Sequence, residues 1–184
     1  MVTILDLPIH PLAVHVPLVF VPLLLLMVLA YVAIPPLRRR IGWVVFALTI
    51  LSPGAVFLAV WSGRQLADTR YAAEDGSWSD AITEHAAYGD RLLWILLGLA
   101  PVMFLFFALE RGRRSALALN GDNGDTQQMN ADGDPIPASN DDPASKGRRM
   151  LMILLGVIAV ALVLLAGWMA FEVGHSGSDM VWNV

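Results

Sequence analysis

The chain contains no cysteine among its 184 residues. Without cysteine there can be no disulfide, no thiolate metal site and no iron–sulfur cluster held by cysteine, and covalent attachment of a c-type haem is also excluded. Any metal or haem iron would therefore be bound by His, Met or carboxylate side chains.

Charged residues are also scarce, because they make up 15% of the chain while hydrophobic residues make up 57%. Soluble domains contain about 25% charged residues, so this composition indicates a membrane protein, and the length indicates a single domain. No basic patch typical of nucleic-acid binding is present. The N-terminus lacks the basic region and the small-residue cleavage site of a secretory signal, so the first apolar run is expected to be retained as a helix.

Four apolar segments have the length needed to cross the roughly 30 Å of bilayer hydrocarbon, which takes about 20 residues. The sequence therefore predicts an all-α fold, a four-transmembrane-helix antiparallel bundle, and a single membrane domain over residues 1–184. The predicted helices cover residues of about 11–34, 41–62, 79–109 and 149–174.

Positive charge is concentrated in two of the connections between these helices. Nine of the twelve Lys and Arg residues lie either around Arg38–Arg40 or at the two ends of a polar segment, about residues 112–146, which is predicted to be disordered. The positive-inside rule places both connections in the cytoplasm. Both termini are then outside, and the expected location is the bacterial inner (plasma) membrane.

The start of the third helix carries a capping signal. In the sequence Ser77-Trp78-Ser79-Asp80, a Ser is followed three residues later by an acidic side chain. This spacing predicts a capping box with Ser77 as the N-cap residue.

All four histidines fall on the outer side of the membrane in this topology. His10 and His15 precede or begin the first helix, His85 lies near the start of the third, and His175 follows the fourth. His10 and His15 are five residues apart, which is about 140° on an ideal helix. Both could face one ligand only if the chain before Pro11 were not helical.

Three acidic residues, Glu84, Asp90 and Glu172, are expected in the same layer as the histidines. A carboxylate that accepts a hydrogen bond from an imidazole fixes the tautomer and raises the basicity of a metal-bound histidine. These residues are therefore candidates for supporting the histidine ligands.

Three interpretations of the histidine layer remain open. In the first, a b-type haem is bound with His15 and either His85 or His175 as axial ligands and His10 in support. In the second, His15, His85 and His175 bind a transition metal without a porphyrin. In the third, the layer is a structural polar network and no cofactor is bound.

The sequence favours an electron-transfer or redox-partner subunit with haem b, whose partner would be an extracytoplasmic redox protein or a respiratory complex. The alternatives are a non-haem metal protein and a structural or assembly subunit. The middle thirds of the four helices carry almost no charge, which argues against ion conduction. No catalytic constellation is recognised, so the sequence gives no indication of an enzyme.

The opening segment, HPLAVHVPL from His10 to Leu18, resembles the HPLxVHFPI opening of a prokaryotic family of four-helix membrane proteins, domain of unknown function 2231. Trp61-Ser62-Gly63 and Gly174-His175-Ser176-Gly177 also resemble that family's pattern. The resemblance implies four helices and an electron-transfer setting, since members occur joined to Rieske or cytochrome-type domains, but it implies no particular activity. The chain departs from the pattern at Val16, where Phe is common, and in a shortened Gly-rich stretch after His175.

Overall fold

The structure is a computed structural model that describes residues 3–4, 7–122 and 143–182. Two short paired strands precede the helices, and a 3₁₀ turn, Pro35–Leu37, joins the second helix to the third. The elements are β1 (Thr3–Ile4), β2 (Leu7–Pro8), α1 (Ile9–Ala13), α2 (His15–Ala33), α3 (Arg38–Arg70), α4 (Asp80–Asp122) and α5 (Pro143–Trp182).

Four helical segments are long and apolar enough to cross a membrane, which confirms the prediction of a multi-pass helical membrane protein. They cover Ile9–Ala33, Pro35–Arg70, Asp80–Ser115 and Lys146–Met180. Large apolar side chains are exposed along all four, as they would be if lipid covered them. Examples are Leu18, Phe57, Leu105 and Val157.

A short interruption at Val14 separates α1 from α2. Pro17 lies in the first turn of α2 and has no backbone N–H to donate to the carbonyl of Ala13, so the helical hydrogen bonding is incomplete at this point. The five-residue α1 packs against α3. The interruption therefore gives His10 an orientation that is set by α1 and its contact with α3.

The four long helices form a ring in which α2 packs on α3, α3 on α4, α4 on α5 and α5 on α2. Near the middle of the ring, Tyr31 of α2 meets Phe106 of α4 edge to face, with ring centroids 5.7 Å apart. Gly42 lies beside Tyr31 and Gly156 beside Phe106, so that a Cβ atom at either glycine would touch the ring at 3.4 or 3.5 Å. Because these glycines have no side chain, the aromatic rings can pack against the α3 and α5 backbones.

One end of the helix bundle contains a buried carboxylate. This end, which is the one nearer to Tyr31 and Phe106 along the helix axes, is called the arginine end. Glu110 is 2% exposed and accepts hydrogen bonds from Arg113 (2.9 Å), Arg114 (3.0 Å) and Arg38 (3.4 Å). Arg38 also donates to the carbonyl oxygens of Tyr31 and Val32, each at 2.8 Å. These carbonyls are otherwise unpaired at the end of α2, so Arg38 both caps that helix and links it to α4.

Three helices are longer than the hydropathy pattern predicts. In the structure α3 continues to Arg70, α4 to Asp122, and α5 runs over Pro143–Trp182. The segment of about 112–146 predicted as disordered is therefore helical at its two flanks, while residues 123–142 lie outside the described part of the chain. These helices are longer because the apolar residues end at the bilayer surface, whereas helical hydrogen bonding continues into the polar residues beyond them.

The turn between α3 and α4 is organised by Asp75. Its Oδ1 accepts hydrogen bonds from the backbone N–H of Ser77 (2.9 Å) and from the Ser77 hydroxyl (2.7 Å), and both bonds lower the pKa of Asp75. Gly76 completes the turn with a φ of 80°, a conformation that favours glycine.

The prediction that Ser77 caps α4 is wrong, because the helix begins three residues after Ser77. Instead, α4 begins at Asp80, and the residue before it, Ser79, provides the cap. The Ser79 hydroxyl accepts a hydrogen bond from the N–H of Ile82 at 3.4 Å, and its carbonyl accepts one from Thr83 at 3.0 Å. The capping motif thus lies two residues later than expected.

Ser52 provides a first test of the packing in α3. Its side chain is fully buried, and its hydroxyl has no hydrogen-bond partner among the residues that the structure describes. Because a buried unsatisfied hydroxyl costs about 1 kcal/mol or more, Ser52→Ala is expected to raise the melting temperature of the detergent-solubilised protein. Thr49→Ala is the control, since the Thr49 hydroxyl donates to the carbonyl of Val45 at 2.7 Å and its methyl group fills space. A lower melting temperature for Ser52→Ala would show that the hydroxyl contributes a favourable interaction.

Candidate functional site: two histidines at one end of the helices

His10 lies on α1 and points towards α3. Its Nδ1 is 3.0 Å from the carbonyl oxygen of Ala59 and 3.2 Å from the hydroxyl of Ser62. A carbonyl oxygen can only accept, so this contact requires the proton to be on Nδ1. Gly63 provides the space for the ring, because a Cβ atom there would lie 2.9 Å from Cε1 of His10.

His85 lies near the start of α4 and points towards α5. Its Nδ1 is 3.0 Å from the hydroxyl of Ser176, and that hydroxyl donates its own proton to the carbonyl of Glu172 at 2.7 Å. The Ser176 oxygen is then an acceptor for a proton on Nδ1 of His85. Gly177 lies against this ring, with a Cβ position 3.2 Å from Cε1.

The two imidazoles are therefore held in the same tautomer, with the proton on Nδ1 and a lone pair on Nε2. Within the described part of the chain, neither Nε2 has a hydrogen-bond partner. Both rings are half-buried, and they lie at the same end of the bundle, where Arg64 of α3 pairs with Asp90 of α4. A neutral imidazole with Nδ1–H donated to the protein and Nε2 free is the form in which histidine binds metals.

The structure does not bring His15 or His175 to this pair. His15 is exposed, in keeping with the angle of about 140° that five helical residues produce, and α1 is helical from Ile9, before Pro11. His175 is also exposed, stacks on Phe171 with centroids 5.9 Å apart, and lies 3.5 Å from Asp179. The two half-buried histidines are His10 and His85.

The three acidic residues expected to support the histidines have other contacts. Glu84 accepts a hydrogen bond from the Tyr88 hydroxyl at 3.0 Å, and Asp90 pairs with Arg64 at 2.6 Å. Glu172 contributes its backbone carbonyl, through Ser176, rather than its carboxylate. Among the described residues none of these carboxylates bonds an imidazole, and the acceptors for Nδ1–H of His10 and His85 are serine hydroxyls and a backbone carbonyl.

Sequence reasoning gave no role to Ser62, Gly63, Ser176 or Gly177. A signal for them was present, because a Ser-Gly pair follows the apolar run of the helix that pairs with each histidine-bearing helix. In the residues that the structure describes, no group of three or more His, Asp or Glu side chains could hold a metal ion.

The fold defines a multi-pass helical membrane protein with a paired-histidine site at one end of its helices. No family model, curated protein or solved structure matches the chain. The resemblance to domain of unknown function 2231 therefore stays a prediction that rests on the motifs around His10, Ser62 and Ser176.

Proposed function

We propose that the protein is a membrane electron-transfer subunit in which His10 and His85 are the axial ligands of a b-type haem. The observation that carries the proposal is the state of the two imidazoles. Each donates Nδ1–H to a neighbouring helix and leaves its Nε2 lone pair free. This pair replaces the ligand sets centred on His15 and His175.

Haem is favoured over a bare metal ion by the number of ligands. A structural or catalytic zinc ion has three or four protein ligands, and the described residues contain no group of three His, Asp or Glu side chains that could hold one. A porphyrin supplies four nitrogen ligands itself, so two imidazoles complete the coordination of its iron. When bound, the haem would supply one-electron chemistry, while the protein holds the imidazole tautomers and sets the surroundings of the iron.

The proposed membrane orientation rests on the different charges at the two ends of the helix bundle. The bundle is proposed to be antiparallel, with the arginine end in the cytoplasm and both termini outside, because Lys and Arg are retained on the cytoplasmic side. The histidine pair lies at the other end of α2 and α4 from Glu110. Electrons would then be exchanged with an extracytoplasmic redox protein or a respiratory complex of the bacterial inner membrane.

The test is the absorption spectrum of the full-length protein purified in detergent and supplied with hemin. We expect a Soret band that shifts on reduction with dithionite. His10→Ala and His85→Ala should each reduce bound haem by at least about tenfold, since an axial bond is lost. His15→Ala and His175→Ala are matched controls that should retain the wild-type spectrum. A protein that stays colourless, or one that loses haem only with the control substitutions, would overturn the proposal.

A structural role is the second candidate, and the contacts of the rings favour it. Each imidazole joins two helices and fills the space above a glycine, so the pair could serve only to hold the outer ends of the helices together. In that case His10→Ala and His85→Ala would lower the melting temperature of a protein that binds neither hemin nor a metal. Elemental analysis together with the spectrum separates the two candidates.

A further inference from the structure

Equivalent positions are buried in α2 and α4. His85 follows His10 by 75 positions, and the same shift relates the buried residues of the two helices. The pairs are Pro17 and Leu92, Val21 and Leu96, Leu24 and Leu99, Val28 and Met103, and Tyr31 and Phe106.

A different constant shift relates α3 to α5. Ser176 follows Ser62 by 114 positions, and the same shift takes three buried residues of α3 onto buried residues of α5. These buried pairs are Val45 and Ala159, Thr49 and Val163, and Ser52 and Ala166. The shift also relates three pairs in which at least one member is half-buried, Gly42 and Gly156, Ser62 and Ser176, and Gly63 and Gly177.

The contacts within each helix pair repeat as well. Tyr31 lies against Gly42 as Phe106 lies against Gly156, at 3.4 and 3.5 Å from the Cβ positions. At the other end of the helices, His10 lies against Gly63 as His85 lies against Gly177. Each imidazole also contacts the hydroxyl of the serine that comes directly before that glycine in the chain. The same residue types therefore make the same contacts twice, at both ends of the helices.

The arrangement of the helices agrees with a rotation that exchanges the two pairs. In the ring, α2 is opposite α4 and α3 is opposite α5. Tyr31 and Phe106, which are equivalent by the first shift, touch each other near the centre. A pseudo-two-fold axis thus runs along the bundle, and the two hairpins share one orientation.

We infer that the chain is a tandem pair of one helix-hairpin unit, residues 9–70 and 80–182, and that the ligand lies on the two-fold axis between two equivalent half-sites. Each half-site consists of the His, Ser and Gly of one unit. A ligand that fits has two equivalent positions on opposite faces, each of which accepts one imidazole nitrogen, as a planar metal macrocycle does. The identity of the ligand rests on the proposed function, whereas the tandem unit does not.

One difference between the half-sites gives the test additional resolution. In the described part of the chain, His10 has two hydrogen-bond acceptors, the Ala59 carbonyl and the Ser62 hydroxyl, while His85 has one, the Ser176 hydroxyl. Ser62 and Ser176 are therefore positioning residues of unequal weight. Loss of a hydrogen bond from Nδ1–H makes the imidazole a weaker donor to the metal.

The first arm of the experiment measures packing in the full-length protein without added hemin. Gly63→Leu and Gly177→Leu should both lower the melting temperature, by roughly 5 °C or more, because each displaces an imidazole from its place. Gly54→Leu and Gly174→Leu are matched controls on the same two helices, where a Cβ atom meets nothing within 4 Å. If Gly63→Leu and Gly177→Leu shift the melting temperature in opposite directions, the tandem unit is contradicted.

The second arm adds hemin to the same protein. His10→Ala and His85→Ala should give the same change from a low-spin to a high-spin spectrum, and Ser176→Ala should raise the reduction potential more than Ser62→Ala. If only one of the two histidines alters the spectrum, the two-fold site is overturned while haem binding stands. If the wild-type protein binds no hemin, the proposed function and the ligand fail together, and the glycine variants still decide the tandem unit.

Discussion

Replacing Glu110 with Gln is expected to destabilise the protein by about 3 kcal/mol, because breaking a buried ion pair leaves the remaining charge without a partner. The carboxylate is 2% exposed and has three arginine partners. Arg38 is the partner most affected, since its side chain is only 12% exposed. An amide of the same shape keeps the packing but removes the negative charge that balances the guanidinium.

The matched control for this prediction is Asp90→Asn. Asp90 also pairs with an arginine, Arg64, at 2.6 Å, but its side chain is 35% exposed and that of Arg64 is 51% exposed. Exposed pairs contribute about 0–1 kcal/mol, so this change should have little effect. Unfolding of both variants in detergent gives the comparison. Equal losses from Glu110→Gln and Asp90→Asn would show that the network at the arginine end contributes no more than a surface pair.

Replacing Phe106 with Ala is expected to cost about 3 kcal/mol, chiefly because it opens a cavity at the centre of the ring. Phe106 is 1% exposed, meets Tyr31 and Gly156, and lies under the guanidinium of Arg38 at 5.1 Å. Between membrane helices, association depends on van der Waals packing, because lipid is as apolar as the side chains. The van der Waals contacts that Phe106→Ala removes are therefore not compensated by a more favourable solvation.

Phe104→Ala is the control for the cavity. Phe104 is two residues away on the same helix and 40% exposed, and it touches Phe46 with centroids 5.6 Å apart. Lipid can fill the space that its ring leaves, so we expect a loss of less than about 1 kcal/mol. Thermal unfolding of the two variants should therefore differ clearly. The prediction fails if Phe106→Ala melts within a degree of Phe104→Ala.

Hydropathy was sufficient to predict the four helices, because a span needs a run of apolar residues whatever its neighbours are. It could not predict where the helices end. Arg70 and Asp122 lie beyond the apolar segments, and their helical conformation depends on backbone hydrogen bonds rather than on hydropathy. The capping residue also differs from the prediction, because α4 begins at Asp80 and Ser77 belongs to the turn before it, where it bonds Asp75.

The pairing of the histidines could not be read from one sequence, because the rotation of each helix depends on packing. The spacing of five residues did indicate that His10 and His15 face different directions, but it did not say which of them faces inward. In the structure the choice is made by Gly63, which leaves room for the His10 ring beside Ser62.

The tandem unit does not repeat with one constant spacing along the chain. His10 and Ser62 are 52 residues apart, whereas His85 and Ser176 are 91 apart. The two helices of the unit therefore repeat with different shifts. Among residues at the ends of the helices, the histidine and the Ser-Gly pair recur, while the apolar positions between them need to be similar only in size and burial.

The Asp75 turn is the link between the two hairpins, and its strength depends on the acidity of the surroundings. Hydrogen bonds from Ser77 lower the pKa of Asp75, so the ionised carboxylate is stabilised in the folded turn. This contribution is present above the ordinary pKa of Asp and disappears as the pH falls through the lowered value. In strongly acidic medium the tether between the hairpins would loosen, whereas the edge-to-face contact of Tyr31 with Phe106 contains no group that titrates in acid.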